Sequence, residues 1–286
     1  MSQSFSIRLY VPTGDPKGVR IIQMPGWTGR GVVFPRARLD EASRRDEVRG
    51  VGVYVLWQAG EEGSALPRAY VGQSENVAMR IVQHDRGKDF WEHAIVFTNN
   101  DLTFNTAHAQ YLEAQLLARA SKANRSNLVN GNVPQAPDLS EMDRADADSF
   151  LENLLLCLPL VGVLFFEEPT IATSVSDDLV LRAKGVAARG VEDSAGFVVR
   201  AGSQAVATEV PSVPPSVHAI RSALLEKGVL VVDGPTLRFA QDYPFASPST
   251  AASAVLGSSS NGRELWTDST GRPLKAIQAR LTEVTQ

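Results

Sequence analysis

A single cysteine, Cys157, stands among 286 residues. One thiol closes no internal disulfide and builds no cysteine zinc cluster, so nothing requires an oxidising compartment and the cytoplasm is the expected location. Long apolar runs are missing too. The greasiest stretch, Leu154 to Phe166, is broken by Pro159 and Gly162 and falls short of the roughly 20 residues that a spanning helix needs. It is expected to be buried core, and no membrane partner is expected. Met1 to Tyr10 lacks the basic stretch and apolar run of a secretory signal.

An overall positive charge is also lacking, since the formal net charge is −4. That total conceals an uneven distribution. Lys and Arg outnumber Asp and Glu by 16 to 13 over residues 1–135, trail them by 5 to 12 over 136–200, and match them at 7 each over 201–286. The acidity therefore sits in one middle segment, and the mildly basic first half permits contact with phosphate without demonstrating it.

What is present is an ordered series of short elements. Ser4 to Val11 and Gly18 to Met24 read as strands joined by a turn at Gly14-Asp15-Pro16, with a third strand at Gly31 to Pro35. The strands Val51 to Gln58 and Arg68 to Gly72 form a hairpin with a long solvated loop. Asn76 is placed to cap a helix running to about His84, and Ala94 to Phe97 forms another strand. Asn105 or Thr106 is placed to cap a helix whose apolar and polar residues separate at a period near 3.6. Strands covered by helices in this order predict an α+β fold with a small mixed or antiparallel sheet.

The acidic helix from Ser140 to Cys157 is expected to link this module to a second, smaller α+β domain of short strands. The boundaries read from the sequence are a β-rich lead-in at 1–49, a first domain at 50–135, a linker at 136–175 and a second domain at 176–286.

Within the first domain, Gly52-Val53-Tyr54 and Tyr70-Val71-Gly72 precede Arg80, His84 and Glu113. Paired strands bring the two phenols together, and glycine permits close backbone approach. Arg80 and His84, four apart, share a helical face, and arginine offers phosphate a forked set of donors. Taken singly, each residue is an ordinary strand aromatic, helix cation or surface carboxylate. The ordered set resembles the GIY-YIG nuclease family, with Val in place of Ile in both triplets, over roughly Val51 to Asn130. The lead-in also looks like the N-terminal region of some bacterial members.

The resemblance implies a metal-dependent endonuclease that hydrolyses DNA phosphodiesters, with RNA equally open to the same chemistry. In it Tyr54 is the general base, assisted by His84 or Tyr70. Its environment must lower a phenol pKa of about 10 for that role. Glu113 holds one Mg2+ or Mn2+, and Gly72 and Arg80 lie against the nucleic acid. The family also uses a downstream asparagine, for which Asn124, Asn127 and Asn130 are candidates and Asn127 is chosen. His108, five residues before Glu113, lies about 140° round the helix and is not expected to share the metal. The other reading is a nucleic-acid-binding or defence-sensor protein that keeps the fold without catalysis.

Tyr243 to Ser249, followed by Ala251-Ala252 and then Ser258 to Trp266 with Asn261-Gly262-Arg263, resembles a C-terminal domain fused to such nucleases. It also looks like the RAMA domains associated with adenine methylases. That resemblance implies recognition of nucleic acid or modified DNA, with Arg263 meeting phosphate and Trp266 a base. The competing reading makes Trp266 a core plug and Asn261-Gly262 a turn.

Overall fold

Apolar residues in the first half alternate sides along strands that are buried on both faces, which requires layers above and below one sheet. In the computed structural model, which describes residues 4–58, 66–87, 89–101, 103–132, 134–167, 178–193 and 196–284, that sheet has seven strands. They are β1 (Arg8–Tyr10), β2 (Arg20–Gln23), β3 (Gly29–Pro35), β4 (Gly52–Gln58), β5 (Arg68–Ser74), β6 (His93–Asn99) and β7 (Asn127–Leu128), in the order β1-β2-β3-β6-β4-β5-β7. All neighbours are antiparallel except β5 and β7, which run parallel.

Five-residue α1 (Leu39–Ser43) and α2 (Val77–Asp85) accompany one face; α3 (Thr106–Ala123) and α4 (Glu141–Cys157) cover the other. The alternation is explicit in β4. Val53, Val55 and Trp57 join Leu112, Leu116, Phe150 and Leu154 in one core, whereas Tyr54 and Leu56 join Val32, Val77, Ile81 and Val96 in the other. Each fully buried large side chain contributes on the order of 1.5–3 kcal/mol.

The lead-in is not a separate domain. Strand β3 pairs with β6 along its whole length, from Gly29 opposite Asn99 to Pro35 opposite His93, so residues 1–49 complete the same sheet. Nor is the acidic helix a linker. Phe150, Leu151, Leu154 and Cys157 lie in the first core, and the contact pattern assigns everything up to Glu167 to the first unit, apart from residues 60–66. As expected, much of the stretch from Leu154 to Phe166 is core, with Leu156 and Leu160 on the surface. The expected hairpin loop and the end of the expected linker fall partly on residues 59–65 and 168–177, outside the described residues.

The second unit, residues 60–66 with 168–286, is also α+β. Strands β8 (Leu179–Ala183), β9 (Val186–Asp193) and β10 (Gly196–Val199) join β14 (Tyr243–Phe245) in the order β14-β10-β9-β8. Strands β11 (Gln204–Val206), β12 (Leu230–Asp233) and β13 (Thr236–Phe239) form a second sheet in the order β11-β13-β12. Its helices are α5 (Pro215–Glu226), α6 (Pro248–Leu256), α7 (Gly262–Leu265) and α8 (Leu274–Val284).

Helix α6 is buried at every position from Thr250 to Leu256, as expected of a helix apolar on all sides. Buried Arg221 ties α5 to its neighbours. Its Nε donates to Glu209 Oε1 at 3.0 Å, and its two terminal nitrogens donate to Val206 O at 2.6 Å and to Ala254 O. No helix among the described residues is long and apolar enough to cross a membrane.

Candidate active site

Register sets the first part of the site. Tyr54 lies opposite Gly72, and Leu56 opposite Tyr70, in the β4–β5 ladder. Tyr54 and Tyr70 therefore occupy diagonal positions on one face of the sheet. Their ring centroids are 6.1 Å apart. The phenol of Tyr54 crosses over its partner strand, and a Cβ on Gly72 would sit 2.5 Å from the Tyr54 hydroxyl oxygen. Gly52 is constrained in the same way, because a Cβ there would run into the Phe97 carbonyl. Both glycines of the two triplets are thus required by close contact, not by a turn.

Helix α2 supplies the next two residues. Asn76 caps it, its side chain accepting from Met79 N at 3.2 Å. One helical turn separates Arg80 from His84, and the His84 ring lies 5.9 Å from that of Tyr54 and 5.1 Å from that of Tyr70. The three rings form a closed triangle.

The end of α2 is fixed from the lead-in. Arg36 donates from Nε to Asp85 Oδ1 at 2.7 Å, from Nη2 to Asp85 O at 3.1 Å and from Nη1 to Asp89 O at 3.0 Å. Its guanidinium also lies 5.3 Å from the Trp91 ring centre. This anchor was not read from the sequence; only its position three residues before the short α1 marks it.

Glu113 comes from α3, on the opposite side of the sheet, and is half-buried. Its charge nevertheless reaches the group. Burial raises the Tyr70 pKa, and the Glu113 carboxylate raises it further. Burial raises Glu113 itself, opposed by Arg80. Tyr54, Tyr70, Arg80 and Glu113 therefore influence one another electrostatically, and His84 joins them through its ring contacts.

One expectation is corrected. The environment of Tyr54 does not lower its pKa. Tyr54 is fully buried, and desolvation, reinforced by Tyr70, drives the hydroxyl far above its ordinary value, with Arg80 the opposing influence. The three candidate asparagines sit in different surroundings. Asn127 is exposed in β7, and its backbone N donates to Pro67 O. Asn124 ends α3 in the left-handed conformation at φ 52°. Asn130 is the one tied to the second triplet, accepting from Val71 N at 3.1 Å and donating to Val71 O at 2.8 Å.

His108 takes part in capping α3. Its Nδ1 accepts from Asn105 N in the capping box that starts α3.

In the second unit, Trp266 is overturned as a base contact. It is fully buried, its ring lies 4.6 Å from that of Phe197, and its Nε1 donates to Pro248 O at 3.0 Å. Asn261-Gly262 is more than a turn, because a Cβ on Gly262 would strike the Pro248 backbone. Ser247 is spent capping α6, accepting from Thr250 N at 3.1 Å. Arg263 is exposed on α7.

Comparison with known proteins bears on this second unit alone. Residues 179–278 match a family described as a domain of unknown function (DUF4357). No curated protein and no solved structure matches the chain.

Proposed function

We propose that the first unit is a metal-dependent endonuclease of the GIY-YIG type that hydrolyses DNA phosphodiesters, and that the second unit helps it to recognise its substrate. The observation that carries this reading is the ring triangle of Tyr54, Tyr70 and His84, with centroids 5.1 to 6.1 Å apart, bordered by Arg80 and coupled to Glu113. A phosphodiester offers the charge that Arg80 would bind, and converging ring donors suit its oxygens.

The donor set fits one hydrated divalent ion and not a metal cluster. Glu113 is the one carboxylate of the group, and no set of three or more His, Cys, Asp or Glu able to hold an ion occurs among the described residues. A single hard oxygen with retained waters is a Mg2+ or Mn2+ arrangement. Burial raises the Glu113 pKa, and such an ion beside it would favour the carboxylate form. When bound there, the ion would supply charge stabilisation at the phosphate oxygens.

Burial raises the pKa of the Tyr54 phenol, which suits a neutral hydroxyl that orients the attacking water, and His84, whose ring lies 5.9 Å from that of Tyr54, is the group that takes the water's proton. Tyr70 and Arg80 hold the phosphate. Asn130 is a positioning residue, fixing the strand that carries Tyr70 and Gly72. In the second unit Arg263 remains the candidate phosphate contact.

Purified protein with Mg2+ or Mn2+ is expected to cut DNA, and Tyr54→Phe and Glu113→Ala are each expected to slow cleavage at least about a hundredfold. Binding without cutting, unaffected by metal or by either substitution, would replace the enzyme by the non-catalytic binding reading. Parallel assays on RNA and on modified DNA define the substrate.

A further inference from the structure

We infer that the outer face of α2, formed by Met79, Gln83 and the C-capping Arg86, is the surface along which the nucleic-acid strand runs beside the scissile phosphate. This rests on the nuclease reading and extends it from the reacting residues to the path of the substrate.

Helix geometry selects the three residues. At about 100° per residue, Met79, Gln83 and Arg86 fall within roughly 60° of one another, and Arg80 borders them on the side toward His84. All four are exposed, whereas Val77, Ala78 and Ile81 on the other side of the helix are buried. Met79 leaves 61% of its surface in water beside the site. A flexible, polarisable apolar side chain in that position suits the face of a base. Gln83 lies within 3.5 Å of Arg80 through its Oε1, which leaves its amide donors available to phosphate or base edges.

Charge selects the occupant. The helix has one acid, Asp85, and Arg36 neutralises it at 2.7 Å, so the stripe presents arginine without carboxylate. Arg80 and Arg86 are separated by about 9 Å along the axis, the rise of two to three nucleotides of a strand. The opposite face of the same sheet is the reverse case. There α4 exposes Glu141, Asp146, Asp148 and Glu152 against one arginine, Arg144, a balance less favourable to a polyanion than the α2 stripe.

The test uses full-length protein carrying Glu113→Ala, so that DNA stays intact during binding, and measures the affinity for a short duplex and a short single strand against salt. Adding Arg86→Ala is expected to weaken binding about three- to tenfold and to reduce the slope of log K against log salt by about 1. Adding Met79→Ser is expected to weaken binding severalfold at every salt concentration with the slope unchanged. Met142→Ser, at a still more exposed methionine on α4 (80%), is expected to change nothing. In the otherwise wild-type enzyme, Arg86→Ala is expected to raise KM and leave kcat unchanged.

Unchanged affinity and slope in both α2 variants would overturn the inference while leaving the nuclease reading intact, and so would an equal loss from Met142→Ser. Absence of all binding and cleavage by the wild-type chain would remove the nuclease reading and the inference together. All three positions are on the surface, so thermal melts of the variants are expected to match the parent.

Discussion

At the scale of single residues, the most specific constraint is the contact between Tyr54 and Gly72. The phenol can lie across β5 only because position 72 has no side chain, with 2.5 Å left for a Cβ against the hydroxyl oxygen. Gly72→Ala is therefore expected to cost about 1–3 kcal/mol of stability by overpacking and to lower cleavage at least tenfold by displacing the Tyr54 ring. Gly131→Ala, where a Cβ meets nothing within 4 Å, is expected to do neither. Chemical denaturation and a cleavage time course check both.

Trp266 makes the opposite case. Trp266→Phe removes the bond to Pro248 and leaves space in the core, at a cost of about 2–3 kcal/mol, but the affinity of the folded protein for DNA is expected to stay the same. The glycines and tyrosines were legible in the sequence because their spacing reports a backbone contact. For Trp266 the sequence left two readings, and the core one holds, because an indole that stacks on a base and one that fills a core have the same side chain and differ only in burial. The raised pKa of Tyr54 was hidden for a related reason: it comes from desolvation by residues distant in sequence.

At the scale of elements, the caps were readable and the anchors were not. Asn76 and Asn105 start α2 and α3 as expected, because an N-cap is a local pattern of side chain and backbone. That β4 is buried on both faces comes from the two cores it joins. What local patterns do not show is partnership, so β1–β3 looked like a lead-in and α4 like a linker until pairing and packing joined them to the first sheet. Two-residue β7 carries no periodicity at all; it is held by Asn127 N and Val129 N donating to Pro67 O and Ala69 O.

Arg36 shows why that partnership matters. Its bonds to Asp85 and Asp89 fix the last turn of α2, the turn that carries His84. Both partners of the ion pair are about one-third exposed, so Arg36→Ala is expected to cost only about 1 kcal/mol of stability. A larger effect, about tenfold, is expected on kcat, because a small misplacement of His84 weakens proton transfer from the attacking water. Arg36→Lys keeps the charge but loses the fork and is expected to recover stability without recovering kcat. A matching loss in Asp85→Ala, with no further loss in the double variant, identifies the pair as one unit.

At the scale of the whole molecule, the two units carry separate cores, and their response to alkaline pH can be read separately. Tyr243 in the second unit is 6% exposed, and burial pushes its hydroxyl up to about 12 from an ordinary value of 10.0. The folded form therefore keeps its proton where the unfolded chain has lost it. Stability from this source is complete below about pH 10 and disappears as pH rises through about 12, a loss of as much as roughly 3 kcal/mol for a two-unit shift. Trp266 is the tryptophan of this unit, whereas Trp27, Trp57 and Trp91 belong to the first, so selective labelling of the indoles distinguishes the two unfolding events. Denaturant titrations at pH 9 and pH 11.5 are expected to show the second unit weakened at the higher pH, with Tyr243→Phe removing most of that pH dependence. An equal pH dependence in Tyr243→Phe would show that the phenol is not the group responsible.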